Sequence, residues 1–240
     1  MPSVNALAAT ATLLGEPACA AMLEALFAGQ ALTATELAKV AGITPPTASA
    51  HLAKLVEGGL VTVHVQGRHR YHSLANEEVA AALESLGNLT LATAPTRRWP
   101  HDAVLREARL CWDHVAGRLG VALHRGLTQR AWLVPAAGGW AMTLVGETGL
   151  RALGVDVAAA GKARRFACDC MDWSERRAHL AGGLGREFAA CCLRQGWLHR
   201  AAMPKGATSP DASALARRRL VLTPEGARLL HGALGVDLAA

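Results

Sequence analysis

The residues of this 240-residue chain best equipped to bind a soft ion or react as nucleophiles gather in its second half: Cys111, His114, Cys168, Cys170, His179, Cys191 and Cys192. Cys111 and His114 stand three apart, which on a helix places both on one face at usable ligand spacing. The stretch CDCMD at 168–172 is compact and rich in soft and acidic ligands. Thiolate and imidazole together select zinc, cadmium, lead, mercury or copper(I) over magnesium or calcium. Arg164 and Arg165 stand close by and favour the thiolate form at Cys168 and Cys170. Two thiols two residues apart supply only half of a tetrahedral site, so further ligands must come from elsewhere. The candidate metal or effector set is Cys111, His114, Cys168, Cys170 and His179, and a soft metal ion such as zinc is the cofactor such residues would take. Against a metal stand the lack of any Cys-x-x-Cys and the equivalence of His114 and His179 in an internal repeat, which suits packing equally well. Cys191 and Cys192 fall mid-helix among Phe188, Ala189 and Leu193, so at least one belongs to a core; Cys19 reads as a small packing residue.

A second set of residues has the chemistry of base and phosphate recognition. Between 44 and 57 the apolar positions Ala48, Leu52, Leu55 and Val56 share one helical face, leaving Thr47, Ser49, His51 and Lys54 elsewhere. A helix with such a short, hydrogen-bonding surface suits a major groove. Thr44 is placed to cap it, and Pro45 or Pro46 fits its first turn, where a missing N–H costs nothing. Before it, Leu37, Val40 and Ala41 mark a short helix, capped by Thr33 or Thr35 and ended by Gly42. After it, Gly58 and Gly59 stop the helix, and residues 60–65 and 68–73 read as two strands around a Gln66-Gly67 turn. The tip carries Gln66, Arg68, His69 and Arg70. The whole is a winged helix-turn-helix, with Thr44, Thr47, Ser49, His51, Lys54, Gln66, Arg68, His69 and Arg70 as its DNA-contacting residues.

The pattern S-x-H-L-x-x-L-x-x-x-G-L-V followed by a G-R-x-x-Y wing resembles the ArsR/SmtB family of bacterial repressors. Ser49, His51, Leu52, Leu55, Gly59, Leu60, Val61, Gly67, Arg68 and Tyr71 carry the resemblance, which spans roughly residues 5–90. It implies a dimeric DNA-binding repressor. It does not imply a metal, because the segment 36–40 (ELAKV) lacks the family's Cys-x-Cys and residues 76–91 contain no His. Ala50 also replaces an Arg common in the family. A helix from Glu77 to about Leu91, capped by Asn76, carries Val79, Leu83, Leu86, Leu89 and Leu91 as a stripe; the resemblance implies that it pairs with its copy, together with the first helix.

The second half holds an internal repeat. Residues 114–133 align without gaps to 179–198, each copy continues into Thr-x-x-Gly (143–146, 223–226), and each ends in Leu-Gly-Val-Asp (153–156, 234–237). Each copy reads as a long helix, a hairpin begun at Trp-Leu and a short closing helix. Gly117, Gly120, Gly182 and Gly185 would let the two long helices cross closely. The expected fold is therefore mainly α with small β-hairpins: residues 1–92 form the winged helix-turn-helix, 93–104 a linker, and 105–240 a domain of two winged-helix-like repeats, about 105–156 and 170–238.

The formal charge of +6 is unevenly placed: residues 1–95 hold four Lys/Arg against seven Asp/Glu, and 96–240 hold 21 against 12. The basic half is thus not the helix-turn-helix half, and an Arg-rich solvated surface explains it most simply. The first segment lacks the basic start of a signal peptide, no apolar run approaches membrane-spanning length, and the expectation is a cytoplasmic protein with reduced thiols. No phosphate loop, nucleophile elbow or carboxylate pair with a base marks an enzyme. The function expected is a homodimeric repressor on a double-stranded operator, released by an unidentified effector in the second half. A constitutive or architectural DNA binder whose second half only oligomerises, and a thiol-based metal or redox sensor, are the alternatives.

Overall fold

The computed structural model describes residues 4–27, 31–67, 69–93, 102–202 and 218–238, which fall into two compact units, one up to residue 93 and one comprising the remainder. In the first, α1 (Val4–Gly15) and α2 (Pro17–Leu26) are separated by Glu16, which caps α2 by accepting the Cys19 N–H at 2.7 Å. α3 (Ala34–Ala41) starts in a capping box: the Thr33 hydroxyl accepts from the Glu36 N–H while the Glu36 carboxylate accepts from the Thr33 N–H. It ends at Gly42, whose φ of +65° suits glycine. α4 (Pro45–Glu57) begins under Thr44 with Pro45 in its first turn. Met22, Leu23, Leu26, Leu37, Leu52 and Leu55 are all at most 2% exposed and hold the three helices together. Each such side chain contributes roughly 1.5–3 kcal/mol by leaving water. Val56 departs from the expected face: one residue past Leu55 it has rotated about 100°, and it is exposed.

The wing pairs β2 (Val61–Gln66) with β3 (His69–Leu74), and β1 (Leu32–Thr33) adds a third strand on the other side of β3. That third strand has no signal in a two-residue segment; it is fixed partly by buried His72, whose Nδ1 meets the Leu32 carbonyl at 3.3 Å. Gln66 pairs with His69, so Gln66 belongs to the strand and not to the turn expected at Gln66-Gly67. α5 (Glu77–Thr93) is capped by Asn76, whose side-chain oxygen accepts the Val79 N–H at 2.9 Å.

The second unit opens with α6 (Asp102–Glu107), which starts within the segment 93–104 read as linker and runs past its end. Then come β4 (Arg109–Cys111), β5 (His114–Ala116), α7 (Gly117–Gln129), β6 (Leu133–Ala136), β7 (Gly139–Met142), α8 (Leu144–Ala152) and α9 (Val157–Ala160). β8 (Cys168–Met171), β9 (Ala178–Ala181), α10 (Gly182–Arg194), β10 (Leu198–Arg200), β11 (Leu220–Leu222) and α12 (Pro224–Leu234) follow. Each long helix is thus preceded by a hairpin that the helical reading of residue 114 onward did not contain. The helix begins only at Gly117, where φ is +81° and a Cβ would lie 2.6 Å from the Arg106 carbonyl oxygen. α7 packs on β9 and α10 on β5. The glycines accordingly admit strands rather than a helix crossing: a Cβ on Gly120 would strike the Val115 carbonyl at 2.3 Å, and one on Gly185 the Leu180 carbonyl at 2.6 Å.

The closing helices are capped alike. Gly146 N–H donates to Thr143 Oγ1 and Gly226 N–H to Thr223 Oγ1, both at 3.0 Å. The core runs through Leu119, Leu127, Leu133, Leu150, Leu184, Phe188, Leu198 and Leu230, and Cys191 and Cys192 both lie within it. No single helix among the described residues is long and apolar enough to cross a membrane. Arg68 and residues 203–217 lie outside the described residues.

Candidate functional site

α4 presents its candidate residues unevenly. Ala48, Leu52 and Leu55 anchor it, while Thr44, Thr47, Ser49, Ala50 and Lys54 are exposed on the other side. Three hydroxyls are already engaged locally: Thr44 and Thr47 share a hydrogen bond at 2.8 Å, and Ser49 donates to the Pro45 carbonyl at 2.9 Å. Each retains lone pairs that accept from a base or a bridging water. His51 differs from expectation. Its Nδ1 lies 3.5 Å from both Cys19 Sγ and Glu16 Oε2, so the ring is tied to α2 rather than projecting freely with Thr47 and Ser49. Burial first, then the Glu16 carboxylate, pushes the Cys19 thiol up to about 11. On the wing, Gln66, His69 and Arg70 are exposed.

The second unit brings four of its five candidate ligands together. Cys111 is the direct cross-strand partner of His114 on β4–β5, and Cys170 that of His179 on β8–β9. Their four ligand atoms all lie within 4.8 Å of one another, and the two Nε2 atoms are 3.2 Å apart. Cys111, His114 and His179 are buried and Cys170 half-buried. Two corrections follow. Cys111 and His114 meet across a two-residue turn, with Trp112 at φ 55°, and not along a helix. Cys168 is outside the group: it lies two residues before Cys170 on β8 and pairs with Ala181.

Sequence reading missed the carboxylates around this cluster. Asp113 Oδ1 lies 3.0 Å from His114 Nδ1, and Asp172 Oδ2 lies 3.8 Å from His179 Nδ1. Asp172 also accepts from Arg109 at 2.8 Å and from the Gly117 N–H at 2.6 Å, capping α7. Burial pushes its carboxyl up, but Arg109 and the Gly117 N–H outweigh this and hold it at about 2. The Arg109 guanidinium stacks over Trp173, 4.2 Å from the ring centroid. Asp172 and Trp173 belong to the longer turn of the second hairpin, which separates Cys170 and His179 by nine residues where Cys111 and His114 are three apart. That unequal spacing hides the equivalence of the two pairs from a gapless alignment.

Proton balance within the cluster favours an anionic sulfur. Burial would raise the Cys111 thiol, but hydrogen bonding with Cys170, His114 and His179 lowers it well below the usual thiol range. His114 is driven the other way: burial opposes its charge, yet Asp113 and Cys111 raise it to about 10. His179, disfavoured as a cation by burial, is lowered. A thiolate beside two imidazoles is the form that ligates metals.

A helix-turn-helix domain model matches residues 14–64. The chain is 35% identical over 202 residues to an uncharacterized HTH-type transcriptional regulator, YdfF, of Bacillus subtilis, covering 83% of this chain and 88% of that one. The match therefore runs far beyond the winged helix. Among solved structures, the homodimeric winged helix-turn-helix domain of Mb0332 from Mycobacterium bovis is 24% identical, covering 41% of this chain and 90% of that one with a TM-score of 0.35. The cadmium sensor CMTR of Mycobacterium tuberculosis is 29% identical, over 38% of this chain and 95% of that one, with a TM-score of 0.31. With a helix-turn-helix on α3–α4, a wing on β2–β3 and a relative matched across most of both chains, the protein belongs to the HTH-type transcriptional regulators.

Proposed function

We propose that the protein is a homodimeric repressor that reads an operator through α4 and the wing and leaves it when an effector engages the second unit. The observation that carries the DNA-reading part is the division of α4 into a buried apolar side and an exposed side bearing Thr47, Ser49 and Lys54. Thr44, Gln66, His69 and Arg70 border that side and suit phosphate or groove-edge contacts. His51 reaches DNA only by its Nε2 edge, because Nδ1 faces Cys19 and Glu16.

Dimerisation through α1 and α5 is supported by apolar residues left uncovered in the single chain: Val4, Leu7 and Leu86 are 83%, 66% and 44% exposed. Leu83 and Val79 lie half-buried on the same helix. A second copy would cover this surface, and two copies would set two recognition helices about one helical turn apart. The parallel order of hairpin, long helix, hairpin and capped helix supports reading the second unit as a duplicated module, suited to converting occupancy of one site into a movement between halves. Arg68, outside the described residues, is assigned to the wing tip on sequence alone.

DNase footprinting across the upstream region of the protein's own gene tests the reading, paired with a transcription assay on the same fragment. Two protected half-sites and lowered transcript are expected. Uniform protection without half-sites, or raised transcript, would contradict a sequence-specific repressor.

A further inference from the structure

What the Cys-His cluster binds is a separate matter from operator binding. We infer that Cys111, His114, Cys170 and His179 form a closed tetrahedral site for a zinc-class cation, which clasps the hairpin β4–β5 to the hairpin β8–β9. The inference concerns the second unit alone and would hold for an activator as for a repressor.

The first argument is dimensional. Zinc bound by two sulfurs at about 2.3 Å and two nitrogens at about 2.0–2.1 Å in a tetrahedron sets its nitrogens about 3.3 Å apart and its sulfurs just under about 4 Å apart. The observed nitrogen separation is 3.2 Å, and no pair of ligand atoms exceeds 4.8 Å. The ligands need to move by no more than a side-chain adjustment. Two sulfurs and two imidazoles in a tetrahedral array select zinc over calcium, magnesium or manganese, which prefer oxygen.

The second argument comes from an orphaned atom. His179 Nδ1 is fully buried without a hydrogen-bond partner, and the group it faces is the Asp172 carboxylate at 3.8 Å. With His179 Nε2 as the donor in a direct hydrogen bond to His114, Nδ1 of a neutral His179 would be a lone pair aimed at an anion; a proton on His114 Nε2, or a cation between the two Nε2 atoms, instead puts the His179 proton on Nδ1. The metal cation suits both rings alike. Both rings then carry their protons on Nδ1, His114 donating to Asp113 and His179 pointing its N–H at Asp172. Each metal-binding ring acquires the outer carboxylate that commonly orients and strengthens such ligands.

The third argument is the way the fold makes room. Gly120 on α7 faces the Cβ of His179 at 3.4 Å, and Gly185 on α10 faces the Cβ of His114 at 3.2 Å, both measured from an added Cβ. Each long helix therefore presents a glycine where the other hairpin's histidine must enter. Four protein ligands fill the coordination sphere, which is the composition of a structural site rather than a catalytic one with an open position. Two cross-strand pairs from hairpins 50 or more residues apart in sequence would be joined by one ion.

The test uses the full-length protein purified without chelator from zinc-supplemented medium, followed by cobalt(II) titration of the chelator-stripped, reduced chain. About one zinc per chain is expected, together with the intense visible bands of tetrahedral cobalt(II) and sulfur-to-cobalt charge transfer in the near ultraviolet. Cys170→Ser should remove the charge-transfer intensity and most of the zinc, while Cys168→Ser and Cys19→Ser should keep both. Because the wild-type titration needs no variant to fold, the inference stays exposed to refutation. It is overturned if the wild-type chain carries no zinc and shows no charge transfer. It is equally overturned if Cys19→Ser, rather than Cys170→Ser, loses the metal, or if mass spectrometry of the reductant-free chain shows a Cys111–Cys170 disulfide in place of the ion.

Discussion

Two clusters in this chain mix cysteine and histidine with acid, and they are built differently. Glu16, Cys19 and His51 meet at the base of the recognition helix; Cys111, His114, Cys170 and His179 meet between two hairpins. In the first, Glu16 and His51 are partly exposed and the carboxylate is occupied capping α2. In the second, three of the four ligands are buried, the acids stand one layer out, and Asp172 is itself fixed by Arg109 and Gly117. The difference shows what distinguishes a tie between two helices from a site for an ion. Ligand types alone do not; the number of ligand atoms, their burial and the support behind them do.

The largest expected effect lies in that support. Asp172→Ala leaves the Arg109 guanidinium, 1% exposed, without its partner. Removing one member of a buried pair costs about 3–5 kcal/mol, to be read by denaturant unfolding. A loss below about 1 kcal/mol, the level of an exposed pair, would show that Asp172 is no more a keystone than Glu16.

Gly120→Ala comes next. The added methyl would meet the Val115 carbonyl at 2.3 Å, so the second unit should lose roughly 1–3 kcal/mol. Gly15 at the other cluster has open space around it, so Gly15→Ala should not destabilise the first unit. Equal losses at the two positions would erase the contrast. Glu16→Ala, which removes a helix cap, should cost about 0.5–2 kcal/mol and leave zinc content unchanged.

The first unit also carries a pH signature of its own. Burial lowers the His72 pKa below its ordinary 6.5, overcoming the pull of the Leu32 carbonyl. The unfolded chain therefore binds this proton more readily, and the contribution of neutral His72 is present above about pH 6.5 and lost as pH falls from there through the lowered folded-state value. His72→Phe should flatten the stability profile of the first unit between pH 7 and 5, as followed by thermal melts; an unchanged slope would assign the loss to other groups. The smallest effect belongs to the DNA face. Lys54→Ala should reduce the salt slope of binding by about 1 while weakening all sequences alike, and an unchanged slope would remove Lys54 from the phosphate contacts.

The first unit was largely legible in the sequence because its signals are local. Thr33, Gly42, Thr44 and Pro45 each cap or bound a helix within four residues, and Met22, Leu26, Leu52 and Leu55 repeat at helical spacing. What was not legible depended on distant pairing. β1 is two residues long and exists only because β3 lies beside it. His51 sits off the apolar face, as its spacing demands, but its neighbour Cys19 lies 32 residues away. In the second unit the repeat marks His114 and His179 as equivalents, but a spacing of three fits a helix face and a hairpin turn alike, and at Cys111 and His114 it is a hairpin turn. The pairing of Cys170, not Cys168, with His179 follows from strand register, and an inserted turn of unequal length conceals register from sequence.

The most direct test of the contrast between the two clusters is zinc K-edge X-ray absorption on the full-length, reduced protein. Two sulfur scatterers at about 2.3 Å and two nitrogen scatterers at about 2.0–2.1 Å are expected, with imidazole outer-shell features. A first shell of one sulfur with nitrogen and oxygen, the set that Glu16, Cys19 and His51 would supply, would place the ion at the recognition helix and contradict the assignment.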